Sequence, residues 1–251
     1  MRVRVRAVLQ YDGTSYRGWQ RQADASTIQA ACEDALEKII GKAAVVAAGR
    51  TDSGVHARGQ VVHFDHGTNM SARDLRRAWN AHLPEAIWVA RLERAKPDFH
   101  ARHDAVARTY RYQLALGRGA ASPFVRRYAW PIQRPLDWEA MNAATEGLVG
   151  EHDFRRFAKG SGEHRTRTER EPGRCVVRAA RWLRSRDGRA LEITADRFLR
   201  HMVRAVVGSI VAAGLGRIHA DEIRAALAPG GARPRASYAP PQGLFLWEVE
   251  Y

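Results

Sequence analysis

The chain has 251 residues, of which 45% are hydrophobic, and a formal net charge of +14 from 41 Lys and Arg against 27 Asp and Glu. This length and apolar content predict a globular protein with one large domain or two smaller ones. No apolar run approaches the roughly 18 residues of a membrane span, and the start has no signal-peptide core, so the sequence predicts a cytoplasmic protein that does not enter a membrane. The positive charge favours a polyanionic partner, with nucleic acid as the leading candidate.

Hydrophobic periodicity in the first half predicts the order strand, helix, strand, strand, helix, strand. Alternation over residues 3–9 indicates the first strand, which a turn at residues 12–13 ends. Ser26 and Gln29 form a capping-box pattern that opens a helix over residues 28–40. The later elements are strands at residues 43–48, 60–65 and 87–92 and a helix at residues 72–82 opened by Ser71.

The second half repeats this order. Its predicted elements are a strand at residues 107–116, a helix at 138–149, two strands around a turn at 187–188, a helix at 197–213, an extra helix at 221–227 and a closing strand at 244–249. The sequence therefore predicts an α/β fold of the α+β type. It consists of two ferredoxin-like βαββαβ halves with mainly antiparallel sheets, one over residues 1–104 and one over 105–251.

A basic stretch interrupts the second half at residues 150–172. It has little apolar periodicity and carries Arg155, Arg156, Lys159, Arg165, Arg167 and Arg170. This pattern predicts a mobile loop that either clamps RNA or is a solvated insertion without a partner. Residues 233–235 form a second basic loop with the same two interpretations.

A polar turn at residues 49–57 places the carboxylate of Asp52 between two predicted strands. Asp and Gly form turns for backbone reasons alone, so a purely structural turn is one interpretation. Arg50 is not a turn former, and its presence favours a polar site where backbone approaches a ligand.

Two other segments carry candidate binding residues. Tyr110 and Tyr112 share one face of a predicted strand, with Arg111 on the other, and either ring could belong to the core or stack on an unpaired base. Arg200 and Arg204 lie together on one helix face, which is solvated or else supplies a cation that pairs with Asp52.

Metal, disulfide and cofactor chemistry find little support in the sequence. The two cysteines form no close pair and are interpreted as buried structural thiols. Paired histidines at His63 and His66, and at His100 and His103, lie in strand or loop sequence without acidic partners at ligand spacing, so no metal site is predicted. Phosphate-binding Gly-rich loops and nucleophile-elbow motifs are missing, so no cofactor is expected.

Several ordered motifs resemble the tRNA pseudouridine synthase A family. They are GRTDSGVHARGQVVHF at residues 49–64, RTYRY at 108–112, FLRHMVR at 198–204 and QGLFL at 242–246. The opening QYDGTSYRGWQRQ at residues 10–22 and FHAR at 99–102 are also similar to that family. The resemblance spans nearly the whole chain, although Ser53 replaces the Ala that commonly follows the family's aspartate.

The resemblance implies isomerisation of uridine to pseudouridine at positions 38, 39 and 40 of the tRNA anticodon stem-loop, by a homodimer that needs no cofactor or metal. By resemblance Asp52 is the catalytic nucleophile, Tyr110 stacks on the base and Arg50 takes part in flipping the nucleotide. Arg204 matches the arginine that pairs with the aspartate, and Leu244 more loosely matches an apolar residue beside the active site. The implied site lies in a basic cleft between the two halves.

The chemistry of the reaction is compatible with these residues. Uracil must leave C1′ through N1 and rejoin through C5, and one nucleophilic carboxylate can form and release a covalent intermediate. Sequence leaves open whether Asp52 attacks C1′ or the base, and which group removes the C5 proton, for which Tyr110 is one candidate. It also leaves two rival functions open, a non-catalytic RNA-binding protein in which Asp52 only shapes a turn, and a synthase acting on another RNA such as ribosomal RNA.

Overall fold

The computed structural model of the protein describes residues 2–159 and 173–251. The fold is a mixed α/β one with mostly antiparallel strand pairing, as the sequence predicts. The chain forms two compact units, Met1–Val106 with Phe245–Tyr251, and Ala107–Leu244. The last strand, which sequence assigns to the second half, thus contributes most of its length to the first unit.

The first unit contains the predicted strands and helices in the predicted order. They are β1 (Val3–Tyr11), α1 (Ile28–Ile40), β2 (Val46–Ala47), β3 (His56–His66), α2 (Ala72–His82) and β4 (Ile87–Arg94), joined by β10 (Leu244–Glu250) from the end of the chain. The strand order is β4-β1-β3-β10, with β2 also paired to β3. Pairing is antiparallel except between β10 and β3.

The core of this unit is formed by alternate side chains of its strands, with contributions from its helices. Val5, Ala7 and Leu9 of β1 are buried between half-exposed neighbours, which is the pattern of a sheet with one face covered. The Trp79 ring of α2 packs edge-on against Phe64 at 5.2 Å between ring centroids. Burial of these apolar groups provides the main stabilisation of the unit.

Three local predictions in this unit need correction. The side chain that caps α1 is Thr27, which accepts a hydrogen bond from the Ala30 amide, and not Ser26. The strand expected at residues 43–48 is reduced to Val46–Ala47, whereas β3 extends well beyond residues 60–65. The loop that carries Asp52 therefore joins the short β2 directly to the start of β3.

The second unit has more elements than expected. They are β5 (Ala107–Leu116), α3 (Pro123–Arg126), β6 (Trp130–Ile132), α4 (Trp138–Glu146), β7 (Gly150–Asp153), β8 (Arg174–Ser185), β9 (Gly188–Ala195), α5 (Met202–Gly214) and α6 (Ala220–Ala226). The strand order is β7-β8-β9-β5-β6; β5 and β6 pair in parallel, and the other neighbours pair antiparallel. The strands β6 and β7 and the short α3 have no counterpart in the sequence-based prediction.

The start of the predicted basic loop is ordered, which contradicts the prediction for that part. Gly150–Asp153 pairs with β8, and a 3₁₀ turn at Arg155–Phe157 follows. Phe154 and Phe157 are fully buried and anchor the turn in the core. The remainder of the predicted loop, with Arg165, Arg167 and Arg170, lies outside the described residues.

The helix α5 begins at Met202 and not at residue 197. His201 precedes it with a φ of +64°, a left-handed conformation that interrupts any helix entering from residues 197–200. All residues of α5 except Arg204 are buried.

Both cysteines lie in the described part of the chain as buried free thiols, which confirms their structural interpretation. Along residues 2–159 and 173–251, no helix has the length and apolar content needed to cross a membrane.

Candidate functional site

Asp52 lies in the loop between β2 and β3, as predicted. The Val55 amide donates to the Asp52 carbonyl at 3.1 Å and closes a tight turn, in which Gly54 has a φ of +76°. Asp52 is half-buried, Arg50 is exposed, and Thr51 between them is only 6% exposed. The loop therefore presents a carboxylate and a guanidinium toward the surface while the residue between them is fixed in the interior.

The segment after β1 holds this loop through its backbone. The Trp19 amide donates to the Thr51 carbonyl at 3.0 Å, and the Gly54 amide donates to the Tyr16 carbonyl at 3.3 Å. The Ser53 hydroxyl donates to the same Tyr16 carbonyl at 3.3 Å. Ser53, at the position where the similar family commonly has Ala, thus adds one hydrogen bond between this loop and the segment after β1 and leaves the turn intact.

Two glycines allow the close approach of these segments. A Cβ added at Gly13 would collide with the Val55 carbonyl, and one added at Gly18 would lie 2.7 Å from the Thr51 carbonyl oxygen. Gly18 also has a φ of +90°, which other residues rarely adopt. Sequence reasoning did not assign a function to this segment, although the two glycines next to its aromatic residues were the available signal.

Buried polar side chains lie beneath the loop. The hydroxyls of Tyr11 and Thr51 share a hydrogen bond of 2.8 Å. The Gln60 amide donates to the Gly49 carbonyl at 2.7 Å and to the Tyr11 hydroxyl at 3.3 Å. Residues from β1 and β3 therefore fix the backbone on both sides of Arg50.

His56 supports the far end of the same loop. Its Nδ1 accepts a hydrogen bond from the Gly13 amide at 3.1 Å and lies 3.2 Å from Asp12 Oδ1. The ring is 1% exposed and stacks on Phe245, with 4.7 Å between centroids. These contacts give His56 a structural role within the first unit.

Tyr110 and Tyr112 share one face of β5 in the second unit, as predicted. Tyr110 is 9% exposed and packs edge-on against Phe198, with ring centroids 4.9 Å apart and planes at 81°. Tyr112 is completely buried, and its hydroxyl donates to the Pro240 carbonyl at 2.7 Å. Arg111 points to the opposite face, where its Nε donates to Glu192 at 2.7 Å. Tyr112 is thus a core residue, and Tyr110 is the ring nearer the surface.

Arg204 is the one residue of α5 that is not buried. Its Nε donates to the Ala239 carbonyl at 2.8 Å, and its own carbonyl accepts from the Ala239 amide at 2.9 Å. Burial raises the pKa of the Tyr112 hydroxyl, and the positive charge of Arg204 opposes that rise. The guanidinium is therefore held in a fixed position close to the tyrosine strand.

Leu244 follows the 3₁₀ turn Pro241–Gly243 and is 5% exposed. A Cβ added at Gly243 would lie 2.7 Å from Cζ of Tyr112, so this turn packs directly on the β5 face. The second unit thus contains Tyr110, Arg204 and Leu244, and the first unit contains Arg50 and Asp52.

Three of the four histidines considered as metal ligands, His63, His100 and His103, pack together in the first unit. The rings of His63 and His100 lie 4.7 Å apart, and those of His100 and His103 lie 4.1 Å apart. Nδ1 of His63 accepts a hydrogen bond from the Ala101 amide at 3.0 Å. Burial, with the neighbouring His100, lowers the pKa of His63 to about 4. Among the described residues, no three His, Cys, Asp or Glu side chains are grouped to hold a metal ion.

Comparisons with known proteins agree with the motifs. A family model described as tRNA pseudouridine synthase matches residues 7–104 and 144–251. Proteins named tRNA pseudouridine synthase A from Thermoanaerobacter sp. (strain X514) and Methylobacterium sp. (strain 4-46) are 38% and 39% identical over 248 and 250 residues. The alignments cover 98% and 99% of this chain, and 99% and 97% of the relatives. A protein of the same name from Bacillus pumilus (strain SAFR-032) is 35% identical over 252 residues, covering 99% of both chains.

Proposed function

Because the chain belongs to the tRNA pseudouridine synthase family, we propose that it isomerises uridine to pseudouridine at positions 38, 39 and 40 of the tRNA anticodon stem-loop. The observation that carries the proposal is the Asp52 loop. Its half-buried carboxylate lies on a backbone that hydrogen bonds to Tyr16 and Trp19 hold on both sides of Asp52. The similarity supports it, since it extends over 98% of this chain and 99% of a relative named tRNA pseudouridine synthase A.

Asp52 is the proposed nucleophile. The reaction breaks the bond from C1′ to N1 and forms the bond from C1′ to C5, while a proton leaves C5 and N1 regains one. A carboxylate that forms a covalent intermediate and is then released divides this exchange into two easier steps. Attack at C1′ and attack on the base both fit this role.

The other proposed site residues bind the target nucleotide. Extruding a base from the stack costs a few kcal/mol, which a stacking ring and an inserted side chain offset. Arg50, which is exposed two residues before Asp52, is the proposed inserted side chain. Tyr110, which packs edge-on against Phe198, is the proposed stacking ring. Arg204 and Leu244 are proposed as further substrate-binding residues. The pairing of Arg204 with Asp52 stays a prediction from the resemblance.

We also propose that each unit is a ferredoxin-like half. The antiparallel order β4-β1-β3-β2 in the first unit supports this, because it is the order that a βαββαβ chain gives when its two helices cover one face. In the second unit, the order β5-β9-β8 supports the corresponding part of the pattern. The cleft expected from the resemblance stays a prediction.

The proposed enzyme is a cytoplasmic homodimer, by resemblance and because its substrate is tRNA. Light scattering tests the oligomeric state, since a dimer has twice the 28.1 kDa mass of the chain. A mass of one chain at working concentrations would contradict the dimer.

Site-resolved mapping of pseudouridine tests the substrate. Unmodified tRNA transcripts carrying uridine at position 38, 39 or 40, each paired with a transcript carrying cytidine there, are incubated with the protein. They are then treated with a carbodiimide that labels pseudouridine selectively, because pseudouridine and uridine have the same mass, and the labelled positions are located by mass spectrometry. We expect pseudouridine at these three positions and none in a ribosomal RNA fragment. Modification of the ribosomal fragment alone would support the rival synthase, and tight tRNA binding without any pseudouridine would support the RNA-binding protein.

A further inference from the structure

A buried hydrogen-bond chain lies directly beneath the loop that carries Asp52. It links Gln60 of β3, Tyr11 of β1 and Thr51 of the loop, and it also reaches the Gly49 carbonyl. Tyr11 is 4% exposed, Gln60 0% and Thr51 6%. All three residues are buried, so these hydrogen bonds lie in the interior of the unit.

The direction of the bonds makes Tyr11 the central link. The Gln60 nitrogen lies 2.7 Å from the Gly49 carbonyl oxygen, and a flipped amide would set two oxygens against each other there. The same nitrogen donates to the Tyr11 hydroxyl at 3.3 Å. The Gln60 oxygen finds no hydrogen-bond partner in the described part of the chain, so the side chain is held by its donors. Its two hydrogens therefore fix the loop at Gly49 and the tyrosine hydroxyl together.

Thr51 is held at two of its polar atoms. Its hydroxyl bonds to Tyr11 at 2.8 Å, and its carbonyl accepts from the Trp19 amide at 3.0 Å. The Trp19 ring lies against the Tyr11 ring, with 6.2 Å between centroids. Since Asp52 is the next residue, the direction in which its carboxylate leaves the backbone depends on this anchoring.

We propose that Tyr11 is a positioning residue for the isomerisation, which it supports by fixing Thr51 and thereby the Asp52 carboxylate, without touching the RNA. This inference rests on the proposed role of Asp52 as the nucleophile. Loss of the Tyr11 hydroxyl leaves the Thr51 hydroxyl and a Gln60 N–H without that partner in the interior. The loop then samples orientations in which the carboxylate misses its target, and small misplacements cost large factors in rate.

The test compares Tyr11→Phe with Tyr251→Phe in the full-length protein. Tyr251 belongs to the same unit, and its hydroxyl makes a partly buried hydrogen bond, donating to the Ala101 carbonyl at 2.6 Å. Three quantities are measured: the single-turnover rate of pseudouridine formation with enzyme in excess over tRNA, the tRNA dissociation constant, and amide hydrogen exchange at Val55. The Val55 amide reports on the turn because it donates to the Asp52 carbonyl.

We expect Tyr11→Phe to lower the single-turnover rate on the order of tenfold or more, with the dissociation constant changed less than about twofold and exchange at Val55 faster. Tyr251→Phe leaves all three at wild-type values. Thr51→Val also lowers the rate, and Thr51→Ser keeps the wild-type rate because it keeps the hydroxyl. The double variant Tyr11→Phe with Thr51→Val is no slower than Tyr11→Phe alone, because both substitutions remove the hydrogen bond between Tyr11 and Thr51.

Equal rates and equal Val55 exchange in Tyr11→Phe and wild type would overturn the proposal. So would rate losses that multiply in the double variant, since the two hydroxyls would then act independently. Absence of pseudouridine from the wild-type reaction would instead reject the proposed function, and the exchange measurement would still decide whether Tyr11 holds the loop.

Discussion

At the scale of single residues, the neighbours Thr51 and Asp52 differ in burial. The Thr51 side chain is buried and bonded to Tyr11, whereas the side chain of Asp52 is half-exposed. In the proposed reaction the buried Thr51 would fix the loop and Asp52 would react, so the anchoring group would not be the reacting one.

At the same scale, substitution of Tyr110 tests whether its ring stacks on a base of the tRNA. Tyr110→Phe keeps the ring and its edge-on contact with Phe198, so we expect tRNA affinity within about twofold of wild type. Tyr110→Ala removes the ring, and since stacking contributes about 1–3 kcal/mol per base, affinity should fall about fivefold to a hundredfold. Filter binding with an anticodon stem-loop measures both. An equal loss of affinity in the two variants would assign the contact to the hydroxyl and contradict stacking.

At the scale of elements, the glycines beside the Asp52 loop set how closely two segments can pack. We expect Gly18→Ala to lower the free energy of unfolding by about 1–3 kcal/mol and to slow turnover, because the added methyl meets the Thr51 carbonyl and the φ of +90° is strained. Gly67→Ala is the matched control, since its Cβ would meet no atom within 4 Å. Urea unfolding with an activity assay measures both effects. Equal stability of the two variants would show that the loop tolerates the extra volume.

The buried His63 of β3 gives the first unit a predicted pH dependence. His63 has a pKa lowered from 6.5 to about 4 by burial, with His100 and Arg4 acting in the same direction and Asp65 and Asp104 opposing. In the unfolded chain His63 takes up a proton near its ordinary pKa, whereas in the folded protein it stays neutral until about pH 4. Stability from this group is therefore complete above about pH 6.5 and is lost as the pH falls toward 4.

Thermal unfolding of wild type and His63→Gln between pH 7 and pH 4.5 checks this. We expect the melting temperature of the variant to fall less steeply with decreasing pH than that of wild type. Parallel curves would exclude His63 as a source of the pH dependence.

Local sequence patterns predicted most elements but missed features set by distant contacts. The periodicity of residues 72–82 gives α2 with its actual bounds, and Ser71 caps it as expected. The start of α5 was misplaced because residues 197–201 continue the helical apolar pattern, while His201 takes a left-handed conformation with its ring against Tyr238 at 5.5 Å. The short strand β7 was missed because its stability comes from pairing with β8 and from the buried phenylalanines after it.

In the candidate site, too, the features set by local sequence were predicted and those set by distant contacts were missed. Asp52 was placed on its turn by local composition alone. Its support Tyr11 lies 40 residues before its partner Thr51 in sequence, a separation that no local pattern encodes. The last strand was assigned to the second half for the same reason, since only the parallel pairing of Phe245 with His56 reveals its place in the first unit.

At the scale of the whole molecule, the net charge of +14 predicts that phosphate contacts dominate tRNA affinity. Such contacts release counterions from the RNA, so binding weakens steeply with salt. We expect the dissociation constant for tRNA to rise at least about a hundredfold between 50 and 200 mM monovalent salt. A flat response over this range, measured by filter binding at constant pH, would show that the charge does not serve RNA binding.

The central claim is that the carboxylate of Asp52 carries out the isomerisation. Its most direct test is release of tritium from an anticodon stem-loop tRNA labelled at C5 of uridine, comparing wild type with Asp52→Asn, which keeps the size of the side chain but not its charge. We predict release by wild type and a loss on the order of a thousandfold or more in the variant, with its fold and tRNA affinity retained. Equal release by both proteins would contradict the claim and leave Asp52 as a turn residue.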